Sequence, residues 1–340
     1  MKKKVLQIIF LLFAALLSSN FLVKGCMAIE EINDQTKNKN LIFGAGGNEG
    51  IFIFDVSNPE NPELIGQLDT NGFASGVHVS GNYAYVADGD NGLVIVDITD
   101  PTKPKEIGHI DLGSRAWNVY VSGGYAYVAD TENGLVIIDI SEPANPKMVE
   151  HFETDGSVYG IHVSGNYAYV IDGKKGLIIL DISDPSNLVQ IGYLSIYSGA
   201  PWDTAAWNVH LSGNYAYVAA DDNGLIIVDI SDPSAPKKVA QLYTEAEAIE
   251  VFGIQVSGNY AYLAELDDGL AVVDVSNPLN PKKIGYFDTD GDAFGLQVLG
   301  KYLYIADGKN GLITADILDP SNPVLVHHIG RNNLYGLSSM

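Results

Sequence analysis

Residues 81–97 read GNYAYVADGDNGLVIVD, and this stretch decides the fold because close variants of it recur along the chain. Equivalent glycines stand at Gly81, Gly123 and Gly165, about 42 residues apart. A period of this length is typical of solenoids, propellers and other arrays built from one repeated unit. The seven units span residues 39–80, 81–122, 123–164, 165–212, 213–257, 258–299 and 300–340.

Each unit carries four strand signals. In the second unit these are Tyr83–Ala87, Leu93–Ile98, Lys105–Leu112 and Ala116–Val121. Asn-Gly precedes the second strand in several units and predicts a tight hairpin, because both residues tolerate positive φ. Nearly all of the 14 prolines lie in the connector after the second strand, where a missing N–H does not interrupt a ladder.

The hydrophobic pattern predicts that these sheets stack. Second strands such as Leu93–Val96 are apolar without alternation, so both of their faces must be covered. First strands alternate tyrosine and alanine, so tyrosines of one sheet can fit over alanines of the next. We therefore predict an all-β fold, a seven-bladed β-propeller of four-stranded antiparallel blades. Its N- and C-terminal strands, Asn40–Gly44 and Leu334–Ser338, are expected to share one blade and so close the ring.

The N-terminus predicts export from the cytoplasm. Three lysines at 2–4 precede the apolar stretch 5–23, as in a secretory signal peptide ending at residue 28. Cleavage after Ala28 would release a soluble protein, whereas residues 23–26 (VKGC) resemble a lipobox that would leave a lipid on Cys26. An uncleaved membrane anchor is the third alternative. The protein is therefore expected to be secreted or tethered at the cell surface.

Composition limits the partners. The chain has 42 acidic and 19 basic residues, a net charge of −23 at pH 7, so it would repel a phosphate backbone and nucleic acid is not an expected partner. Its single cysteine is Cys26, so the folded region depends on packing rather than on disulfides. We divide the chain into a signal peptide (1–28), a polar tether (29–38) and the propeller (39–340). Membrane contact is expected only through a lipid at Cys26.

The pentapeptide LVIVD at residues 93–97 carries a family resemblance. Variants of it recur at 135–139, 177–181, 225–229 and 270–274. The chain resembles the LVIVD-repeat family of exported bacterial and archaeal proteins over nearly all of residues 39–340, and more distantly the YVTN-type propellers. The resemblance implies a propeller at the cell surface and no defined reaction.

An aspartate ends the second strand in every unit, and we assign it to the fold. Its carboxylate can accept backbone N–H groups of the following turn. The seven residues are Asp55, Asp97, Asp139, Asp181, Asp229, Asp274 and Asp316.

Other acidic residues crowd the turns between first and second strands, and we expect these turns to be solvated. They are Asp88, Asp90, Asp130, Glu132, Asp221, Asp222, Glu265, Asp267 and Asp268. Calcium binding is the alternative, although the DTDGD run at 288–292 lacks the glycine and the glutamate that an EF-hand requires at its sixth and twelfth positions. No cofactor is predicted.

The innermost strands place one polar residue each at the same level of the predicted channel. This channel ring comprises His78, Tyr120, His162, His210, Gln255 and Gln297, with Ser338 in the last unit. Three histidines could ligate a metal. Hydrogen bonds to neighbouring blades or to water explain the ring equally well, and no metal site is predicted.

Three residues before each of those positions, six of the seven units carry an aromatic residue. This aromatic ring comprises Trp117, Tyr159, Trp207, Phe252, Phe294 and Tyr335; the remaining unit has Ser75, with Phe73 nearby. These side chains either plug the space between blades or form a docking surface. Docking is favoured by extra residues that enter the same side, around 195–203, where Trp202 lies, and around 245–250.

Three functions remain open after this reading. The first is a non-catalytic module that binds an extracellular protein or glycan on the aromatic and acidic face. A propeller hydrolase or lactonase and a cofactor-binding redox protein are the alternatives, because the fold does not exclude them. The sequence shows no convincing nucleophile with a base and no phosphate loop, so binding is favoured.

Overall fold

A computed structural model describes residues 40–196, 206–243 and 250–330, except for the side chain of Lys309. The predicted closing strand Leu334–Ser338, the signal peptide and Cys26 lie outside these residues, as do Trp202 and Tyr335. The described part of the chain contains 27 β-strands and one short 3-10 turn at Gly308–Asn310. None of its elements is a helix long and apolar enough to cross a membrane.

The strands form seven separate antiparallel sheets, which we number as blades in chain order. Blade 1 contains β1 (Leu41–Ala45), β2 (Ile51–Asp55) and β3 (Glu63–Leu68), and blade 2 contains β4 (Gly76–Ser80), β5 (Tyr83–Ala87), β6 (Leu93–Asp97) and β7 (Lys105–Ile110). Blade 3 contains β8 (Ala116–Ser122), β9 (Tyr125–Asp130), β10 (Gly134–Asp139) and β11 (Lys147–Phe152). Blade 4 contains β12 (Val158–Ser164), β13 (Tyr167–Asp172), β14 (Gly176–Asp181) and β15 (Val189–Ser195). Blade 5 contains β16 (Asn208–Ser212), β17 (Tyr215–Ala219), β18 (Leu225–Asp229) and β19 (Lys237–Leu242). Blade 6 contains β20 (Gly253–Ser257), β21 (Tyr260–Ala264), β22 (Leu270–Asp274) and β23 (Lys282–Phe287). Blade 7 contains β24 (Gly295–Leu299), β25 (Tyr302–Ala306), β26 (Leu312–Asp316) and β27 (Val324–Ile329).

The seven-bladed propeller is thereby confirmed. The first strands of blades 2 to 7 contact one another in succession, so they line the central channel. Blade 1 has three described strands, β1, β2 and β3. These are the three strands that the sequence assigned to the N-terminal part of the shared blade, and the C-terminal contribution to that blade stays a prediction.

Seven hydrophobic clusters hold the blades together, one at each interface. Tyrosines and alanines of neighbouring blades lie in the same clusters: Tyr85 of blade 2 shares one with Ala126 of blade 3, and Tyr127 shares another with Ala168 of blade 4. At the seam, Tyr304 and Leu312 of blade 7 pack with Ile42 of blade 1. Apolar contact between the first and last blades therefore closes the ring within the described residues.

The two ends of the propeller are built from different connections. At the connector end lie the proline-containing turns that follow the LVIVD-type strands, as between β6 and β7 in blade 2. At the loop end lie the turns that lead from the Tyr-Ala-Tyr strands into the LVIVD-type strands, as between β5 and β6 in blade 2, and the segments that lead into the next blade. Backbone bridges join these segments across blades, as at Gly89 with Ala116. Packing between blades is tight enough that a Cβ on Gly108 would lie 2.0 Å from the carbonyl oxygen of Pro143.

The turns at the loop end differ from the predicted tight Asn-Gly hairpin. Ala87 pairs with Leu93, so five residues form the turn in blade 2. Gly89 and Gly92 have φ of 63° and 76°, whereas Asn91 is not among the residues with positive φ. The asparagine instead donates its side-chain amide to the carbonyl oxygen of Thr70 and to a carboxylate oxygen of Asp88, both at 2.9 Å. Its role is a side-chain hydrogen bond, not a backbone conformation.

Candidate functional site

The repeated aspartates at the ends of the LVIVD-type strands belong to the fold, as predicted. All seven accept a hydrogen bond from the backbone N–H two residues later, as Asp97 does from Thr99 at 2.9 Å. Hydrogen bonds from Thr99 hold the pKa of Asp97 below its usual value. These carboxylates therefore cap the connectors.

The acidic turns at the loop end are only partly solvated, which corrects the expectation from the sequence. The acidic residues that are buried in these turns are Asp88, Asp130, Asp172, Asp221, Glu265 and Asp307. The Thr70 hydroxyl donates to Asp88 at 2.5 Å, and Ser114 donates to Asp130 in the same way. Burial raises the pKa of Asp88 to about 6. The carboxylates of Asp88 and Asp130 therefore brace the loops that enter blades 2 and 3, and the acidic surface at this end is limited to exposed neighbours such as Asp90.

The channel ring forms a continuous series of tilted and edge-to-face ring contacts in blades 2 to 5. Ring centroids are 4.7 Å apart for His78 and Tyr120, 4.9 Å for Tyr120 and His162, and 5.3 Å for His162 and His210. In blade 6, Gln255 accepts a hydrogen bond at 2.6 Å from the backbone N–H of Val298 in blade 7. Ring contacts and a hydrogen bond therefore join the channel ring across neighbouring blades, as expected if these residues serve the fold.

The channel histidines are neutral at physiological pH. Burial lowers the pKa of His78 and His210 to about 4 and that of His162 to about 3, with the other two histidines contributing at His162. Within the described ranges, no three His, Cys, Asp or Glu side chains converge closely enough to hold a metal ion.

The aromatic residues converge at the loop end of the channel. Five of them form one cluster, with centroid distances of 5.6 Å (Trp117–Tyr159), 6.3 Å (Trp117–Trp207), 6.5 Å (Trp117–Phe252), 4.7 Å (Tyr159–Trp207), 5.0 Å (Trp207–Phe252) and 5.3 Å (Phe252–Phe294). Because Trp117 in blade 3 reaches Phe252 in blade 6, the cluster covers the channel mouth rather than only lining it. We call these five residues the aromatic cap.

The aromatic cap combines the two roles that the sequence left open, packing between blades and forming a docking surface. Phe294 is 6% exposed and packs as a core residue, whereas Trp117, Tyr159, Trp207 and Phe252 are half-buried. Half-buried rings at a channel mouth keep an apolar face available for stacking against a ligand. The other two candidates, Trp202 and Tyr335, lie outside the described residues.

A cleft beside the aromatic cap was not predicted from the sequence. It has a volume of about 500 Å³ and lies between blades 1, 2 and 3, with Trp117 and Phe73 among its walls. Ser75 also lines it, at the position where the cap has its aromatic residues in blades 3 to 7. The signal available in the sequence was this one unit that departs from the repeated aromatic.

Comparison with known proteins supports the repeat and the fold. The family model for the LVIVD repeat matches residues 42–70, 71–111, 113–154, 155–194, 204–244, 250–289 and 290–329. A search of curated proteins found no significant match.

Solved structures of low identity share the architecture. A putative 6-phosphogluconolactonase from Bacteroides fragilis superposes with a TM-score of 0.71 at 15% identity, over 92% of this chain and 94% of that one. The β-propeller domain of Cps50 (Swd1) from Myceliophteria thermophila gives 0.67 at 13% identity, over 87% and 96%. A chain of the mitotic checkpoint complex gives 0.68 at 10% identity, over 85% and 88%. At these identities the likeness establishes the fold alone.

Proposed function

This chain belongs to the LVIVD-repeat family, and from that premise we propose that it is a non-catalytic binding propeller that docks an extracellular protein or glycan at its loop end. The observation that carries the proposal is the aromatic cap. Four half-buried aromatic rings lie together at the channel mouth, beside a cleft, and two of them, Trp207 and Phe252, follow the two insertions in the sequence. Function on a rigid scaffold is usually found where the loops vary.

The electrostatics of the channel favour binding over catalysis. A general acid or base needs a pKa near the working pH and a partner that orients it. His78, His162 and His210 have their pKa lowered to about 3 to 4, and the charges that act on His162 are those of the other two histidines. Asp88, whose pKa is raised to about 6, has its oxygens hydrogen-bonded to Thr70 and Asn91.

A lactonase or other hydrolase is the second candidate, because three histidines lie at one level of the channel and a putative lactonase shares the fold. A sugar lactone incubated with the protein tests it. Hydrolysis above the spontaneous rate that is lost in His162→Gln would favour the enzyme. Unchanged hydrolysis in that variant would assign the channel histidines to structure.

The cellular location is part of the same proposal. The lysines at 2–4 and the apolar stretch 5–23 support export, and Cys26 supports a lipid anchor as one of the two forms of the mature protein. Detergent partitioning of wild type against Cys26→Ser distinguishes an anchored from a released protein. Recovery of the intact N-terminus in the cytosol would refute both forms.

The binding proposal is tested with glycan and peptide arrays probed with the mature protein. We expect a ligand whose binding is weakened by Trp117→Ala and is not affected by Lys103→Glu. Lys103 is the matched control because its exposed side chain lies at the connector end. A ligand that is lost in Lys103→Glu and retained in Trp117→Ala would place binding at the wrong end.

A further inference from the structure

The channel mouth has a gap in its aromatic cover at blade 2. Blades 3 to 7 each place an aromatic residue in the cap, but blade 2 has Ser75, which is 8% exposed. The Ser75 hydroxyl lies 2.8 Å from the carbonyl oxygen of Trp117, so the small side chain is fixed against the neighbouring strand. The space left open is the cleft of about 500 Å³, within the range of about 300–1,000 Å³ typical of small-molecule sites.

The walls of this cleft combine flat aromatic surface with planar polar groups. Phe73 and Trp117 supply the aromatic rings, and Asn48, Asn71 and Asp90 supply amide and carboxylate groups. Asn48, Asn71 and Asp90 are exposed. An amide both donates and accepts hydrogen bonds, and so does a hydroxyl, whereas an aromatic face packs on the C–H surface of a sugar ring.

Arg115 adds the one described arginine of the chain to the cleft. Its Nε lies 3.2 Å from Asp90 Oδ1, and the Arg115 side chain is 40% exposed. A guanidinium has five N–H donors, and the described hydrogen bond uses the one on Nε. The donors on its two terminal nitrogens remain to bind two neighbouring hydroxyls at once, and the ion pair fixes the side chain for that purpose.

Phe73, Arg115 and Ser75 stand at positions where the other blades have different residues, so the fold does not require them. At the position two before the cap residue, blade 2 has Phe73, blade 3 has Arg115, and blades 6 and 7 have Glu250 and Asp292. Blade packing therefore does not require an arginine or a phenylalanine there. At the cap position, Ser75 of blade 2 likewise stands where blades 3 to 7 each have an aromatic residue.

From this combination we infer that the cleft between blades 1, 2 and 3 binds a neutral carbohydrate, with the sugar ring against Trp117 and Phe73 and adjacent hydroxyls on Arg115, Asp90 and the asparagines. The inference rests on the proposed binding function and names its ligand class. A peptide is less suited because the lining contains no aliphatic Leu, Ile, Val or Met side chain. An acidic sugar is less suited because Asp90 neutralises Arg115 in a chain of net charge −23.

The test uses the mature chain with neutral hexasaccharides of glucose, mannose and N-acetylglucosamine, with oligogalacturonate as the acidic probe and a peptide library as the protein probe. We expect one neutral hexasaccharide to bind and to change the tryptophan fluorescence. Ser75→Phe restores the aromatic residue of the repeat and fills the cleft, so it should abolish binding with unchanged thermal unfolding. Arg115→Gln should raise the dissociation constant about tenfold or more, because a charge-assisted contact is lost.

The outcomes separate this inference from the binding proposal. Normal sugar binding in Ser75→Phe and Arg115→Gln, together with loss in Phe252→Ala, would overturn the cleft and leave binding at the aromatic cap intact. Loss only in Lys103→Glu would overturn both. If none of the neutral hexasaccharides binds at millimolar concentration, or if Ser75→Phe blocks a peptide instead, the carbohydrate inference is wrong and the ligand class is reassigned.

Discussion

The connector end and the loop end of the propeller differ in how strictly the sequence repeats. At the connector end, all seven blades carry the same aspartate and all seven make the same hydrogen bond to the backbone two residues later. At the loop end, the same kind of blade presents Trp117, Ser75 or Phe294 at one position. A position that seven blades share serves the fold, and a position that one blade changes is free to serve a ligand.

The buried carboxylates show that this distinction also applies within the loop end. Asp88 and Asp307 are both buried, and burial raises the pKa of each to about 6. Each accepts from an asparagine three residues later, Asn91 and Asn310 respectively. The exposed residues between them and the next strand, such as Asp90, vary from blade to blade. Repetition therefore identifies the scaffold even where it consists of acidic residues.

The largest effect is expected from shortening the chain at the seam of the ring. A chain ending at Arg331 lacks the segment 334–338 that is predicted to complete blade 1, so the inner edge of β1 would be left without a partner strand. We expect it to lose a large fraction of the about 5–15 kcal/mol that is typical of a folded domain. Chemical denaturation measures the loss. Unfolding identical to that of the full chain would contradict a blade shared by the two termini.

The next largest effect concerns the channel histidines in acid. Because their folded pKa values lie near 3 to 4, below the ordinary value of 6.5, the unfolded chain binds protons that the folded chain does not. Stability should therefore fall as the pH drops from 6.5 to about 4, by up to about 1.4 kcal/mol per pH unit for each histidine. Replacing all three by glutamine, which blades 6 and 7 carry at this position, should remove that loss.

The difference between the two denaturation curves isolates the histidines. Asp88 and Asp307 act in the opposite direction, because a raised pKa makes the folded state bind more protons between about pH 4 and 6. Their contribution is the same in wild type and in the glutamine variant, so it cancels in the comparison. Equal pH dependence of the two proteins would show that the channel is wet and the histidines are not desolvated.

The sequence predicted the repeating parts of this molecule better than the parts that depart from the repeat. Seven units, their strands and the capping role of Asp97 followed from local patterns of a strict period. The burial of Asp88 did not, because its partner Thr70 is 18 residues away and belongs to the loop from the preceding blade. The cleft was missed for the same reason, since it needs Arg115 of blade 3 beside Asp90 of blade 2.

A smaller effect is expected for the aromatic cap. Trp207 contacts Trp117, Tyr159 and Phe252, so Trp207→Ala removes ring contacts on three sides at a position that the repeat fills with aromatic residues. We expect a loss of about 2–3 kcal/mol, less than for a fully buried tryptophan. Thermal and chemical unfolding measure it. If Trp207→Ala unfolds like the wild type, the aromatic cap lies on the surface and does not contribute to the stability of the fold.

A still smaller loss is expected at the connector end. Asp97→Ala removes the hydrogen bond to the Thr99 backbone and should cost about 1 kcal/mol at neutral pH. Because that hydrogen bond lowers the pKa of Asp97, the contribution is present above the ordinary pKa and is lost as the pH falls through the folded value. Asp90→Ala, at an exposed and variable position of the loop end, is the matched control. An equal cost for both would contradict the distinction between the two ends.

The smallest change in stability is expected for Trp202→Ala. Trp202 lies in an insertion that six of the seven units do without, so blade packing does not require it. Unfolding should remain within about 0.5 kcal/mol of wild type, as for surface positions away from packing. Trp202 stands five residues before Trp207 in the sequence, and an added aromatic residue is suited to stacking on a ligand, so binding of the array ligand should weaken. A loss of stability comparable to that of Trp207→Ala would show that the insertion is structural. Normal binding in Trp202→Ala, combined with loss of binding on changes at the connector end, would show that departures from the repeat do not identify the docking surface.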